Sequence, residues 1–264
     1  ARCRALRLFV HGGGTRRRPR SGSPWQFRDA ETAFGRACVM SSRHAPAPGA
    51  ELQGTHTVPA LTVMRGARVW KQFPEQVIDI DVWAEFLGWY LSEGFYTWEE
   101  SPARFRVSIG QSLRANPHKY AKIAALLSLL PWNWHSHATG FVIASKQLAQ
   151  HLRVFGRSEE KHLPPYAFTM PASARLRLLN ALFDGDGHTR PGACAGTYNT
   201  RRYATCSPQL AQDVVRLAAG LGMPVRLSTR AGAKAHYKRM YHIAFLQHAE
   251  FYVHPHHWEE IPYR

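Results

Sequence analysis

The order of apolar and polar positions divides the chain into two textures. Residues 1–75 are broken up by Gly, Pro, Ser and Arg, as in Gly12-Gly13-Gly14-Thr15-Arg16-Arg17-Arg18-Pro19-Arg20, and hold no sustained helical period, so short strands and loops are expected there. From Asp79 longer apolar segments alternate with short polar turns, and a compact domain is expected to begin near that point. Two of its segments are related: Phe86-Leu87-Gly88-Trp89-Tyr90-Leu91-Ser92-Glu93-Gly94 and Leu179-Asn180-Ala181-Leu182-Phe183-Asp184-Gly185-Asp186-Gly187. Each follows helix-forming sequence and ends on an acid and a glycine, which puts Glu93 and Asp186 at helix C-termini. The acids lie 186 − 93 = 93 positions apart, and the same offset carries Pro131 onto Pro224, each after an apolar helical stretch. A tandem duplication explains both coincidences.

Each copy is expected to run on as strand, strand, helix, strand, strand, helix. In the first, strands are placed near Arg104 to Gln111 and Phe141 to Ser145, and helices near Lys119 to Leu130 and Lys146 to Phe155. In the second, strands fall near Tyr203 to Cys206, Val225 to Arg230 and Tyr237 to Leu246, with a helix from Gln209 to Leu221. Alternation sets Arg104, Arg106 and Ser108 on one face, against Phe105, Val107 and Ile109 on the other. Arg226, Ser228 and Arg230 repeat that face, and Lys238, Met240 and His242 oppose Tyr241, Ile243 and Phe245. These are either ordinary solvated outer faces or basic surfaces for a polyanion; an ordinary face carries mixed charge, whereas these are nearly all positive.

Composition bears on that choice. Lys and Arg number 34 against 18 Asp and Glu, a net +16, and such an excess favours nucleic acid. A membrane is disfavoured because no apolar run approaches spanning length. The start, Ala1-Arg2-Cys3-Arg4, lacks an initiator Met and an apolar signal core, and is read as a fragment boundary. Cys3, Cys38, Cys194 and Cys206 are scattered without a C-x-x-C pair, which supports neither a zinc ribbon nor a disulfide framework and fits a reducing intracellular compartment.

The two nonapeptides resemble the motif of the LAGLIDADG homing endonucleases, in their two-motif monomeric class, over roughly Asp79 to His248. The resemblance implies an α+β fold of two pseudo-symmetric αββαββα repeats, spanning 79–156 and 157–250, with antiparallel DNA-binding sheets and packing through the two motif helices. It places the motif's small third position on Gly88 and Ala181, and its catalytic, metal-binding acid on Glu93 and Asp186. Asp184 matches an acid that the family does not use for chemistry. The implied activity is a double-strand break in DNA at a long asymmetric site, with Mg2+ or Mn2+ as cofactor, by a cytoplasmic, bacterial or phage-encoded monomer. Hard carboxylate oxygens suit Mg2+, which keeps several waters and borrows phosphate oxygens, so two protein carboxylates suffice. Lys161, in Glu160-Lys161-His162-Leu163-Pro164, and Lys238, on a late strand, resemble the basic residues that family members add to each centre; each is otherwise a phosphate contact or a solvated charge. Arg104, Arg106, Ser108, Gln111, Arg201, Arg202, Arg226, Ser228, Arg230 and Lys234 are the DNA-binding candidates implied for the sheets.

The flanks resemble parts of an intein. Thr15 to Thr32 is similar to the strand-rich part of a splicing domain, and Glu259-Glu260-Ile261-Pro262-Tyr263, within 251–264, to the entry into its C-terminal strands. A nuclease embedded in an intein is the implication, with residues 1–75 a residual splicing-domain-like or linker region. Splicing needs an N-terminal Cys or Ser, a T-x-x-H helper and a terminal His-Asn; Cys3 and Thr55-His56 do not fit, so no self-splicing is expected. His254-Pro255-His256-His257 is read as surface rather than as a metal site. The alternative from another class is a non-cleaving nucleic-acid-binding protein of the same fold, resembling intron maturases or transcriptional regulators. Such relatives commonly lose motif acids, and both are retained here.

Overall fold

The computed structural model describes residues 54–101, 103–190, 200–223, 225–230 and 238–245, and four further strands as backbone alone. Those four are β1 (Arg7–His11), β2 (Trp25–Asp29), β3 (Cys38–Ser41) and, at the far end of the chain, β16 (Glu250–Val253). They form one antiparallel sheet of order β16-β3-β1-β2. Segments before and after the duplicated region therefore share hydrogen bonds, with Glu250 opposite Ser41 and Val253 opposite Cys38.

Strand β4 (Thr55–Val58) pairs with β7 (Gln76–Asp79), and between them β5 (Leu61–Arg65) and β6 (Arg68–Phe73) form a separate hairpin. The first half then reads α1 (Ile80–Glu93), β8 (Gly94–Glu99), β9 (Arg104–Gly110), α2 (Pro117–Leu127), β10 (Trp134–His137), β11 (Gly140–Ile143) and α3 (Lys146–Leu152), the expected αββαββα order. Three short 3-10 turns between Arg153 and Phe168 lead to α4 (Ala172–Asp186), β12 (Gly187–Arg190), β13 (Thr200–Thr205), α5 (Pro208–Gly220), β14 (Val225–Arg230) and β15 (Met240–Phe245). The repeat of the second half is described as far as its fourth strand. The sheets run β8-β9-β11-β10 and β12-β13-β15-β14. Numbered within each half, both orders are one, two, four, three, and that shared crossover is the structural counterpart of the duplication.

Local chemistry explains the central pair of helices. The Asp79 side chain caps α1 by accepting from the backbone N–H groups of Asp81 and Val82 at 2.9 and 3.2 Å. Trp83, Phe86, Leu87, Trp89, Tyr90 and Leu91 are all buried, so α1 is a core helix on nearly every side. It packs along α4, the most extensive pairing among the described elements. At the crossing, a Cβ added to Gly88 would lie 2.6 Å from Ala181 Cβ and 2.7 Å from the Leu178 carbonyl oxygen, so the backbones touch. Ser92 and Gly185 repeat the arrangement one turn on, where any Cβ at Gly185 would overlap the Ser92 side chain. Nearer the helix starts the seam is ionic: Arg177 of α4 bonds Asp81 at 3.2 Å and Glu85 at 3.3 Å on α1. Lys122 of α2 reaches Asp184 at 2.7 Å, which gives that motif acid a structural role.

Candidate active site and basic sheet faces

Both helices end by turning straight into the first strand of a sheet. Gly94 and Gly187 have φ of −95° and −94°, so they are not the left-handed caps that acid-glycine endings usually signal. They are glycines because the chain folds back on its own last turn: a Cβ at Gly94 would meet Tyr90 Cα at 2.6 Å, and one at Gly187 would meet Phe183 Cδ2 at 2.5 Å. This tight exit leaves Glu93 and Asp186 as the last helical residues. The helix pairing brings them together, since a Cβ at Gly185 would lie 3.3 Å from Glu93 Cγ.

The electrostatics are those of two like charges placed near each other at the ends of the paired helices. Asp186 is open to solvent on one side, yet crowding by protein is the largest cause of a pKa pushed up to about 6, with the nearby Glu93 carboxylate adding to it and Lys161 and Lys119 opposing. Glu93 is raised for the same leading reason, against the pull of Lys119 and Lys161. Perturbed acids paired in this way are a mark of functional sites.

Lys161 is held from both halves. Its backbone carbonyl accepts from Ser207 Oγ, the buried N-cap of α5, while the following Leu163 N–H donates to buried Asp213 at 2.8 Å. Its ammonium donates to the α1-terminal carbonyls of Leu91 at 2.9 Å and Gly94 at 2.8 Å, where the helix dipole is negative. Burial lowers its pKa, with Asp186, Cys206 and Glu93 pulling the other way. Of the two lysines singled out in the sequence, this one lies near both acids. The sequence does not find Lys119 on α2, whose charge acts on both acids; a lone lysine in the first turn of a helix carries no distinguishing pattern. Lys238 is brought elsewhere, to Ser158 Oγ at 3.0 Å and Glu159 at 3.2 Å, so it pairs with the connection between the halves and not with the carboxylates.

The sheet faces follow from register, because residues directly opposite in an antiparallel pair share a face. In the first sheet Arg104, Arg106 and Ser108 stand opposite Glu99, Thr97 and Phe95, and Val142 carries the face on to His135. Arg104 is tied to Glu99 at 3.6 Å, so this face is mixed rather than purely basic. In the second sheet Arg226 opposes Ala244, Arg202 opposes Ala244 from the other side, and His188 opposes Arg202. Ser228 and Arg230 share that face with His242, whose pKa is lowered by desolvation and then by Arg230, His188 and Arg202.

Two candidates lie off these faces. Gln111 is buried, accepts from the Asn116 amide at 2.9 Å, and sits past the end of β9 on the side of Val107 and Ile109. Arg201 shares the helix-facing side with Tyr203 and stacks on Phe183 of α4 at 3.9 Å. Lys234, the His254–His257 tail, Glu259–Tyr263 and most of Thr15–Thr32 lie outside the described residues.

Among the described residues no three His, Cys, Asp or Glu side chains stand close enough to cage a metal by themselves, and no helix is long and apolar enough to cross a membrane. Residues 173–253 match the family model of the LAGLIDADG-like domain. No curated protein matches the chain. Among solved structures, mesophilic variants of the homing endonuclease I-DmoI align over 64% of this chain and 89% of that one, at 14% identity and a TM-score of 0.43. I-DmoI in complex with DNA and Mn aligns over 63% and 90%, at 16% identity and a TM-score of 0.43.

Proposed function

With residues 173–253 forming a LAGLIDADG-like domain whose strand order recurs in the half before it, we propose that the chain is a site-specific endonuclease making a divalent-metal-dependent double-strand break in DNA. One observation carries this reading: Glu93 and Asp186 end the two paired helices side by side, each at the root of its own sheet. One acid then serves each strand of the duplex. Both acids are shifted upward, first by crowding from protein and, for Asp186, by the neighbouring Glu93 carboxylate, and a dication between them opposes both effects. The donor set therefore fits Mg2+ or Mn2+, with waters and phosphate oxygens completing the shell. When bound, the ion supplies an activated water and neutralises charge on the attacked phosphate and leaving oxygen. Glu93 and Asp186 would hold it, and Lys161 fixes the end of α1 and so the direction of Glu93.

Arg104, Arg106 and Ser108 on one sheet and Arg202, Arg226, Ser228 and Arg230 on the other supply phosphate grip and base readout. Because the two sets differ, the target is asymmetric. Since a single chain supplies both halves, a monomer suffices. The pairing of β16 with β3 supports a nuclease inserted into a flanking module, which we read as part of an intein, working in the cytoplasm.

The test is a selection for Mg2+-dependent cleavage of a randomised duplex library, run beside Glu93→Gln and Asp186→Asn. Defined double-strand cuts that either variant loses are the expected result. Salt-sensitive binding without any cut would replace this reading by that of a non-cleaving DNA-binding protein.

A further inference from the structure

The hairpin of β5 and β6 belongs to neither half and is not used by the active site. We infer that it is a second DNA-contacting arm, which grips duplex beyond the part covered by the two sheets. The inference rests on the proposed DNA-cleaving function.

Residues 61–73 contain three cations, Arg65, Arg68 and Lys71, and no acid. All three are exposed. Between them stand Met64, Val69 and Trp70, exposed by 52%, 54% and 64%. A solvated hairpin has no use for three large apolar side chains near its tip, and register sets the Arg65–Arg68 pair on the face opposite Met64 and Val69, so the occupant must offer both anionic and apolar surface to a ribbon touched on two faces. Duplex DNA accounts for both: phosphates take the cations, while sugar or base edges take the Trp70 ring and its neighbours. A two-stranded ribbon also has the width that the major groove admits.

The arm is fixed at its root. Gln147, itself buried, donates its amide hydrogens to the carbonyls of Pro59 at 2.8 Å and Pro74 at 2.7 Å, one on each foot of the hairpin. Trp132 Nε1 donates to its remaining oxygen at 3.4 Å. The orientation of α3 tells where this root lies. Lys146, the residue before Gln147, sits 4.2 Å over Phe105, which pairs with Trp98 near the outer end of β8. At its other end α3 offers the Leu152 carbonyl to Tyr90, beside Glu93. Gln147 and the hairpin are thus rooted at the outer end of the first sheet, away from the acids and on the Phe105 side that α3 covers, so the arm must reach past the end of the sheet to meet a duplex laid across its other face.

The experiment measures binding of the full chain to a 40-base-pair duplex of arbitrary sequence, without divalent ions, as a function of salt. It compares the unaltered chain with R65A/R68A/K71A and with R106A/R226A on the sheets. Loss of three phosphate contacts is expected to make the slope of log K against log salt shallower by about 2 to 3, with an unchanged melting temperature because none of the three supports the core. If the unaltered chain fails to bind the duplex, the functional reading itself falls. If it binds, R106A/R226A weakens it and R65A/R68A/K71A keeps its affinity and slope, only the arm is overturned. The arm is likewise overturned if sedimentation shows that the hairpin variant loses self-association while binding DNA as before, for the occupant is then a second copy.

Discussion

Asp186 carries a charge that the fold resists, and the sign of its shift makes that testable. Its folded pKa of about 6 lies above the ordinary 3.8, so between those values the folded state holds the proton more tightly and stability falls as pH rises. Without a divalent ion, Asp186→Asn is expected to melt higher than the parent at pH 7 and equally at pH 4, by thermal unfolding followed at both pH values. His56 and His151 act in the opposite sense. Their Nε2 atoms meet at 3.0 Å behind a His56–Trp83 stack of 4.1 Å, and burial with His151 nearby lowers His56 to about 3, while burial lowers His151 as well. Folded-state pKa values below the ordinary 6.5 leave stability intact above that pH and erode it as pH falls toward 3. His56→Phe keeps the ring stacked, and denaturant melts at pH 7 and pH 4.5 should show a smaller loss than the parent. At this scale the sequence is legible where chemistry recurs at a fixed offset, as for Glu93 and Asp186. It misleads where a candidate is chosen by residue type against the alternation of its strand: Gln111 has the parity of Val107 and Ile109 and turns to Asn116, and of the neighbours Arg201 and Arg202 on β13 only one can face outward.

Elements are easier to read than their ends. Periodicity predicts the five α-helices of the described residues, but β8, β10 and β12 carry no clean alternation and are recognised only as partners of β9, β11 and β13. The close approach of α1 and α4 is visible in the sequence as small residues at matched positions, and the structure adds Ser92 and Gly185 to Gly88 and Ala181. Since the Ala181 Cβ and the Leu178 carbonyl, neither the end of a flexible side chain, face Gly88, Gly88→Ala must part the helices and is expected to cost about 1–3 kcal/mol, read from urea unfolding. It should also depress cleavage beyond that loss, because both acids ride on the displaced helix ends. Lys161→Met leaves the last carbonyls of α1 without their donor. It is expected to destabilise by about 1–3 kcal/mol and to shift the acidic limb of the cleavage-pH profile upward, since a nearby positive charge that eases ionisation of both acids is gone.

On the scale of the molecule, the duplication yields two sheets but one interior. Buried residues of both halves, from Phe86 and Ile109 to Leu182, Val214 and Ile243, form a single cluster, and the segment joining the halves is pinned through Leu163 to Asp213 and through Lys161 to Ser207. Neither half can lose its motif helix without exposing the other, so the halves should not unfold separately even though each repeats a complete strand order. Leu178 of α4 has no exposure and lies where its carbonyl abuts Gly88. Leu178→Ala is expected to cost about 2–5 kcal/mol and to move the unfolding of both halves together. Hydrogen exchange on α1 and α5 is the discriminating measurement: protection lost in parallel is what a shared core requires, whereas α5 exchanging early while α1 stays protected would mean that each half folds on its own and that the acids meet only by docking.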